Sequence, residues 1–180
     1  SGTVVYDRSN SSIALAGAES FDFKAAFEGA DWFHITGITP AISRSAAEAA
    51  LASVQAAKAQ GLMVSCDLNF RKKLWKWDGS KSPVELAQAT MAELVKHIDV
   101  VIANEEDADL CLGISDDASD VESGQIDTAG YVRVARQVVE QFPNVSKVAI
   151  TLRESISASH NNWGAMLFDV ATDAAHFAPL

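Results

Sequence analysis

Leu62-Met63-Val64-Ser65-Cys66, continued by Asp67-Leu68-Asn69-Phe70-Arg71 (LMVSCDLNFR), is the stretch on which the fold turns. Its first half is short and almost wholly apolar, as a strand buried on both faces of a sheet must be. Its second half switches to alternating polar residues, where such a strand ends and a loop begins. Directly before it, Ser43–Gln60 has a serine start, many alanines and apolar residues every three or four positions, with Gly61 as a C-terminal stop. That is a helix running into a strand across a very short connection.

The same alternation spreads in both directions. Asp31–Ile35, Val100–Ala103 and Lys147–Leu152 read as further buried strands, and Val4-Val5-Tyr6 begins another close to the start. Ser82-Pro83-Val84-Glu85 supplies an N-cap, a proline at the first helical position and a glutamate three residues after the cap, opening a helix to about His97. Glu105–Leu112, ended by Gly113, and Thr128–Phe142, ended by Pro143, read as helices too. Strands alternating with helices over loops of a few residues require right-handed crossovers, hence a mostly parallel α/β sheet with helices on both faces. Trp163–Phe168 and Asp173–Phe177 break the pattern and read as an antiparallel pair at the sheet edge. The acidic stretch Ile114–Asp127 reads as a solvated loop. A strand so near the start, and Pro179-Leu180 straight after another, give the expectation of a domain cut at both ends.

Composition removes several function classes. The net charge is −10, so the cationic excess that releases counterions from a polyanion is lacking and nucleic acid is not an expected partner. No apolar run approaches the roughly 20 residues of a membrane span, and the N-terminus has no basic region leading into an apolar one. A cytoplasmic protein is the expectation. Cys66 and Cys111 lack metal-ligand spacing and read as plain buried thiols. Against this acidic background Arg71, Lys72, Lys73 and Lys76 place four of the fourteen Lys and Arg residues within six positions, which suits a small anion.

In a parallel sheet, ligands bind beyond the C-terminal ends of the strands. Read together, the residues there are Tyr6-Asp7-Arg8, Thr36-Gly37-Ile38, Asp67–Arg71, Asn104-Glu105-Glu106-Asp107 and Arg153-Glu154-Ser155. Arg8, Arg71 and Arg153 are three of the six arginines, and an arginine fork matches a carboxylate or phosphate with two parallel hydrogen bonds. The acidic triplet 105–107 fits a helix start as well as it fits a carboxylate pair or Mg²⁺ ligands.

Asp67–Trp75 (DLNFRKKLW) resembles the D-x-N-x-R-x-x-L-W signature of 2-keto-3-deoxygluconate kinases, within the ribokinase-like family. Tyr6-Asp7-Arg8 is similar to the aromatic-x-Arg segment of those enzymes, and Asn104–Asp107 to their N-x-x-E motif. The resemblance runs in order over nearly the whole chain. It implies a three-layer ribokinase-like domain, of which residues 1–180 are a part, and an ATP- and Mg²⁺-dependent kinase acting on a sugar acid. It further implies substrate contacts from Tyr6, Asp7, Arg8 and Arg71. Asn69, Arg71, Asn104, Thr151, Arg153 and Ser155 would face the nucleotide, and Asp107 would bear on the metal indirectly. Pairing of lid strands makes a homo-oligomer possible in the full-length protein.

Three departures qualify the resemblance. Asp107 stands where the motif has Glu, one methylene shorter. Arg153 stands where many members have Gly. The G-x-G-D turn that carries the family's general base occurs nowhere in the 180 residues, and with it goes the helix N-terminus that would meet the transferred phosphoryl group. The expectation is therefore a kinase whose base lies outside this chain, and a chain inactive by itself. Two rivals follow from the same pattern: a sugar-acid or nucleotide-binding module without catalysis, and a dinucleotide-dependent dehydrogenase, which needs a G-x-G-x-x-G that is absent.

Overall fold

The structure is a computed structural model and describes residue 8 and residues 10–104, 106–115, 128–157 and 160–178. The expected strand at Val4–Tyr6 and most of the acidic loop lie outside those residues.

Among the described residues six strands form one sheet in strictly sequential order: β1 Trp32–Thr36, β2 Met63–Asp67, β3 Val100–Ala103, β4 Lys147–Ser157, β5 His160–Asp169 and β6 Ala174–Phe177. The first four run parallel, while β5 is antiparallel to both β4 and β6. Among the described residues seven α-helices accompany them: α1 Ser12–Leu15, α2 Phe23–Ala26, α3 Ile38–Ile42, α4 Arg44–Ala59, α5 Pro83–Val95, α6 Asp107–Leu112 and α7 Thr128–Gln141.

The long helices start and stop where their residues dictate. Ser43 caps α4 by accepting the Ala46 N–H at 3.0 Å. Ser82 and Glu85 close a full capping box on α5, each accepting the other's backbone N–H, with Pro83 at the first turn. Gly113 ends α6 in the left-handed region that a side chain disfavours.

Burial divides the sheet into two unlike faces. Ile35, Val64, Cys66, Val101, Val148, Ile150, Met166 and Phe168 share one face and are buried. With Val54, Leu86, Met91, Leu94 and Val138 from α4, α5 and α7 they form the single core. The opposite face holds Trp32, 53% exposed, with Met63, Leu167 and Trp163 also exposed. Among the described residues no helix is long and apolar enough to cross a membrane.

Two expectations need correction. The fourth strand does not stop at Leu152. Ladder pairing with β5 carries it to Ser157, so Arg153 and Ser155 sit in a two-stranded arm and not in a loop after the strand. Ile38, read as part of the segment just after a strand, instead opens α3, in which Pro40 is the third residue, where a missing N–H costs no intrahelical bond.

Candidate active site

The exits of β1, β2 and β3 meet at one rim of the sheet, and backbone contact brings them together first. Gly37 N–H donates to Asp67 O at 2.8 Å, and Leu68 N–H to Ile102 O at 2.9 Å. A Cβ on Gly37 would stand 2.0 Å from the Leu68 carbonyl oxygen, so only glycine fits this crossing.

The loop after β2 then folds on side-chain bonds. Asn69 adopts φ +42°, in the left-handed region that asparagine tolerates better than most residues. Its Nδ2 donates to Thr36 Oγ1 at 3.3 Å, tying the loop to the end of β1. Phe70 N–H donates to Asp107 Oδ1 at 3.0 Å. Among the described residues Arg71 bonds the neighbouring Phe70 carbonyl, through Nη1 at 3.0 Å, and it is exposed. Trp75, 1% exposed, anchors the next turn in the core and leaves Lys72, Lys73 and Lys76 at the surface. The four cations thus occupy one solvent-facing turn, which is the arrangement an anionic ligand needs.

At the exit of β3, Asn104 Oδ1 accepts the N–H groups of Glu106 and Asp107, both at 2.9 Å. Asp107 answers by accepting Asn104 N–H on Oδ2 at 3.2 Å. The two side chains thus bind each other's backbone reciprocally in the turn that leads into α6, whose own N-cap, Glu106, has no side-chain cap. Thr151 follows on the next strand, exposed, with Oγ1 3.5 Å from Ala103 O.

The electrostatics follow from the packing. Burial first, and then the nearby Asp107 carboxylate, hold the Asp67 carboxyl above its ordinary value; His34 and Arg71 partly offset them. Burial likewise pushes both thiols up, Cys66 and Cys111, and the latter donates to Leu68 O. They are structural. No trio of His, Cys, Asp or Glu able to hold a metal occurs among the described residues.

The expected site residues therefore divide. Asn69, Arg71, Asn104, Asp107 and Thr151 come together at adjacent strand exits. Arg8 lies before α1, its carbonyl accepting from Ser11. Tyr6 and Asp7 lie outside the described residues. Arg153 and Ser155 have backbone positions in the arm, opposite Trp163 and Asn161, and their side chains lie outside the description. Asp67 and Thr36 belong to the rim as well; their place at strand ends was the available signal.

The sequence profile of the pfkB family of carbohydrate kinases matches residues 2–152. The chain belongs to that family. A 2-dehydro-3-deoxygalactonokinase of Haloferax volcanii is 30% identical to this family member over 115 residues, 64% of the present chain and 34% of its own. The solved 2-dehydro-3-deoxygluconokinase of Thermotoga maritima is 39% identical, with a TM-score of 0.82, covering 98% of this chain and 49% of that one. A fructokinase of Xylella fastidiosa, solved with bound ATP, shares the fold at 20% identity and a TM-score of 0.60, over 92% of this chain and 41% of its own. This pfkB-family chain thus spans between a third and a half of the length of these relatives.

Proposed function

We propose that the protein carrying this chain is a cytoplasmic kinase that moves the γ-phosphoryl group of ATP to a hydroxyl of 2-keto-3-deoxygluconate, with residues 1–180 part of its ribokinase-like domain. The observation that carries the reading is the meeting of Asn69, Arg71, Asn104 and Thr151 at the exits of neighbouring parallel strands, beside a cationic turn.

In this reading Arg71 binds anionic oxygens of sugar acid and nucleotide, since its guanidinium is exposed to solvent and donates to the Phe70 carbonyl through Nη1. Asn69 holds the loop in place and lies near the phosphates. Tyr6, Asp7 and Arg8 take the hydroxyls and carboxylate of the sugar acid. Thr151, Arg153 and Ser155 wall the nucleotide. The donor set suits an anion better than a bare cation: the buried Asp107 has both oxygens occupied by backbone N–H groups. Mg²⁺ is accordingly expected to arrive with the phosphates and keep its own waters. Asn104 would be its nearest polar neighbour, and Asp107 would act on it only through the groups it holds. The proton-accepting base is expected on a G-x-G-D turn that this sequence does not contain.

The test is ADP release from Mg-ATP with 2-keto-3-deoxygluconate, and with its 2-keto-3-deoxygalactonate epimer. It is run on the 180-residue chain and on a protein extended at both ends. Turnover is expected of the extended protein only, because a general base alone contributes about 10²–10⁴-fold. Robust turnover by the short chain would refute the absent-base argument. An extended protein that binds the sugar acid without turnover would instead be a binding module.

A further inference from the structure

Asp107 is 3% exposed, which makes it the one buried carboxylate among the described residues. A buried charge persists only where donors surround it. Its donors come from two different loops. Oδ2 takes the Asn104 N–H at 3.2 Å, a bond local to the start of α6. Oδ1 takes the Phe70 N–H at 3.0 Å, a bond that reaches back 37 residues to the loop after β2. The turn leading into α6 accounts for the first and has no use for the second. Phe70 lies between Asn69, with its positive φ and its bond to Thr36, and Arg71. The Leu68 N–H bond to Ile102 O holds the start of the loop against β3, and the Phe70 bond to Asp107 holds its middle against the turn that follows β3.

We propose that Asp107 is a positioning residue that ties the Asp67–Arg71 loop to the Asn104–Asp107 turn, so that Arg71 and Asn104 face one anionic ligand in fixed register. The aspartate's short reach is part of the arrangement: its two oxygens span two backbone N–H groups and none remains aimed at solvent. The motif's usual glutamate, one methylene longer, would carry its carboxylate past these donors. The tie is a property of the fold; only its link to anion binding rests on the kinase reading above.

The experiment uses the extended protein with Asp107→Ala, Asp107→Asn and Asp107→Glu. Amide hydrogen exchange at Phe70 and Asn104 is followed beside the KM values for Mg-ATP and the sugar acid and the Mg²⁺ concentration needed for half-maximal rate. Asp107→Ala is expected to speed exchange at Phe70 by at least about tenfold, since a bond to a charged acceptor is lost. It should raise the KM for the anionic substrates by a similar factor and leave the Mg²⁺ requirement unchanged. Asp107→Asn, nearly the same size and so able to fold, should show a smaller change of the same kind, because one acceptor oxygen remains. Unchanged exchange at Phe70 in both variants would overturn the tie. An Asp107→Glu protein that keeps Phe70 protected as well as the parent would overturn the short-reach argument, and a defect confined to a raised Mg²⁺ requirement would overturn the positioning role. If exchange rises in a protein that has no kinase activity in any form, the tie stands and the kinase reading fails.

Discussion

The rim after β2 and β3 and the arm made by β4 and β5 leave the sheet at the same end and are held in opposite ways. The rim depends on single side-chain atoms: Asp107 on two N–H groups, Asn104 on two more, Asn69 on Thr36, and a glycine hydrogen at Leu68 O. The arm depends on a backbone ladder running from Thr151 opposite Ala165 to Ser157 opposite His160. Backbone ladders are indifferent to most side chains, whereas a rim built from individual acceptors is not. Residues that present a ligand should therefore be far more sensitive to substitution in the rim than in the arm.

The largest effect should come from Gly37→Ala. The obstructing atom is a backbone oxygen, which cannot swing aside as a side chain would, so the loop itself must shift. A loss near 3 kcal/mol in urea denaturation is expected, at the top of the range for overpacking. A loss below about 1 kcal/mol would mean that the crossing of β1 and β2 is looser than the contact implies. Next, Arg71→Ala in the extended protein should lower kcat/KM by about 10–100-fold, the value of one charged hydrogen bond. Steady-state kinetics showing parent-like values would remove Arg71 from the site.

A third substitution reads the electrostatics of the rim. The Asp67 carboxyl sits above its ordinary value of 3.8 in the folded chain, so ionising it opposes folding. Stability from this group is complete below that value and is lost as pH rises through the folded pKa. Asp67→Asn should flatten that decline, seen as a smaller fall in melting temperature from pH 4 to 7. A steeper decline in the variant would reverse the assignment. The smallest effect should be that of Thr151→Val in the arm. Its hydroxyl bond is at the limit of length and its side chain is exposed, so a change within about 0.5 kcal/mol is expected. A change above 1 kcal/mol would erase the contrast between rim and arm.

The same contrast decides what was legible before the structure. Ser43 and Gly61 around α4, the Ser82–Glu85 box of α5 and the apolar run of β3 are local signals, and each appears within a residue or two of its expected place. The rim residues Asn69, Arg71 and Asn104 were legible for a related reason: each follows a strand whose end was visible. The bond from Phe70 to Asp107 was not, since nothing local marks a contact spanning 37 residues. The arm was misread because Arg153-Glu154-Ser155 is polar, and polar residues read as loop. Pairing with β5 overrides that preference, as tertiary context does for strands generally. The unlike faces of the sheet escaped notice as well, because Trp32, Met63 and Leu167 look as buried in sequence as Val64 and Val101 do.

The strictly sequential order of the strands has a consequence for how the chain is made. Each strand from β2 to β6 pairs with the one synthesised immediately before it, and none has to be inserted between two earlier neighbours. Among these six strands every new pairing joins a strand to the one just before it, and none depends on a strand further along the described chain. Ribosomal delivery and sheet assembly run in the same direction, so the exits of β1, β2 and β3 can be set in place before the arm is translated.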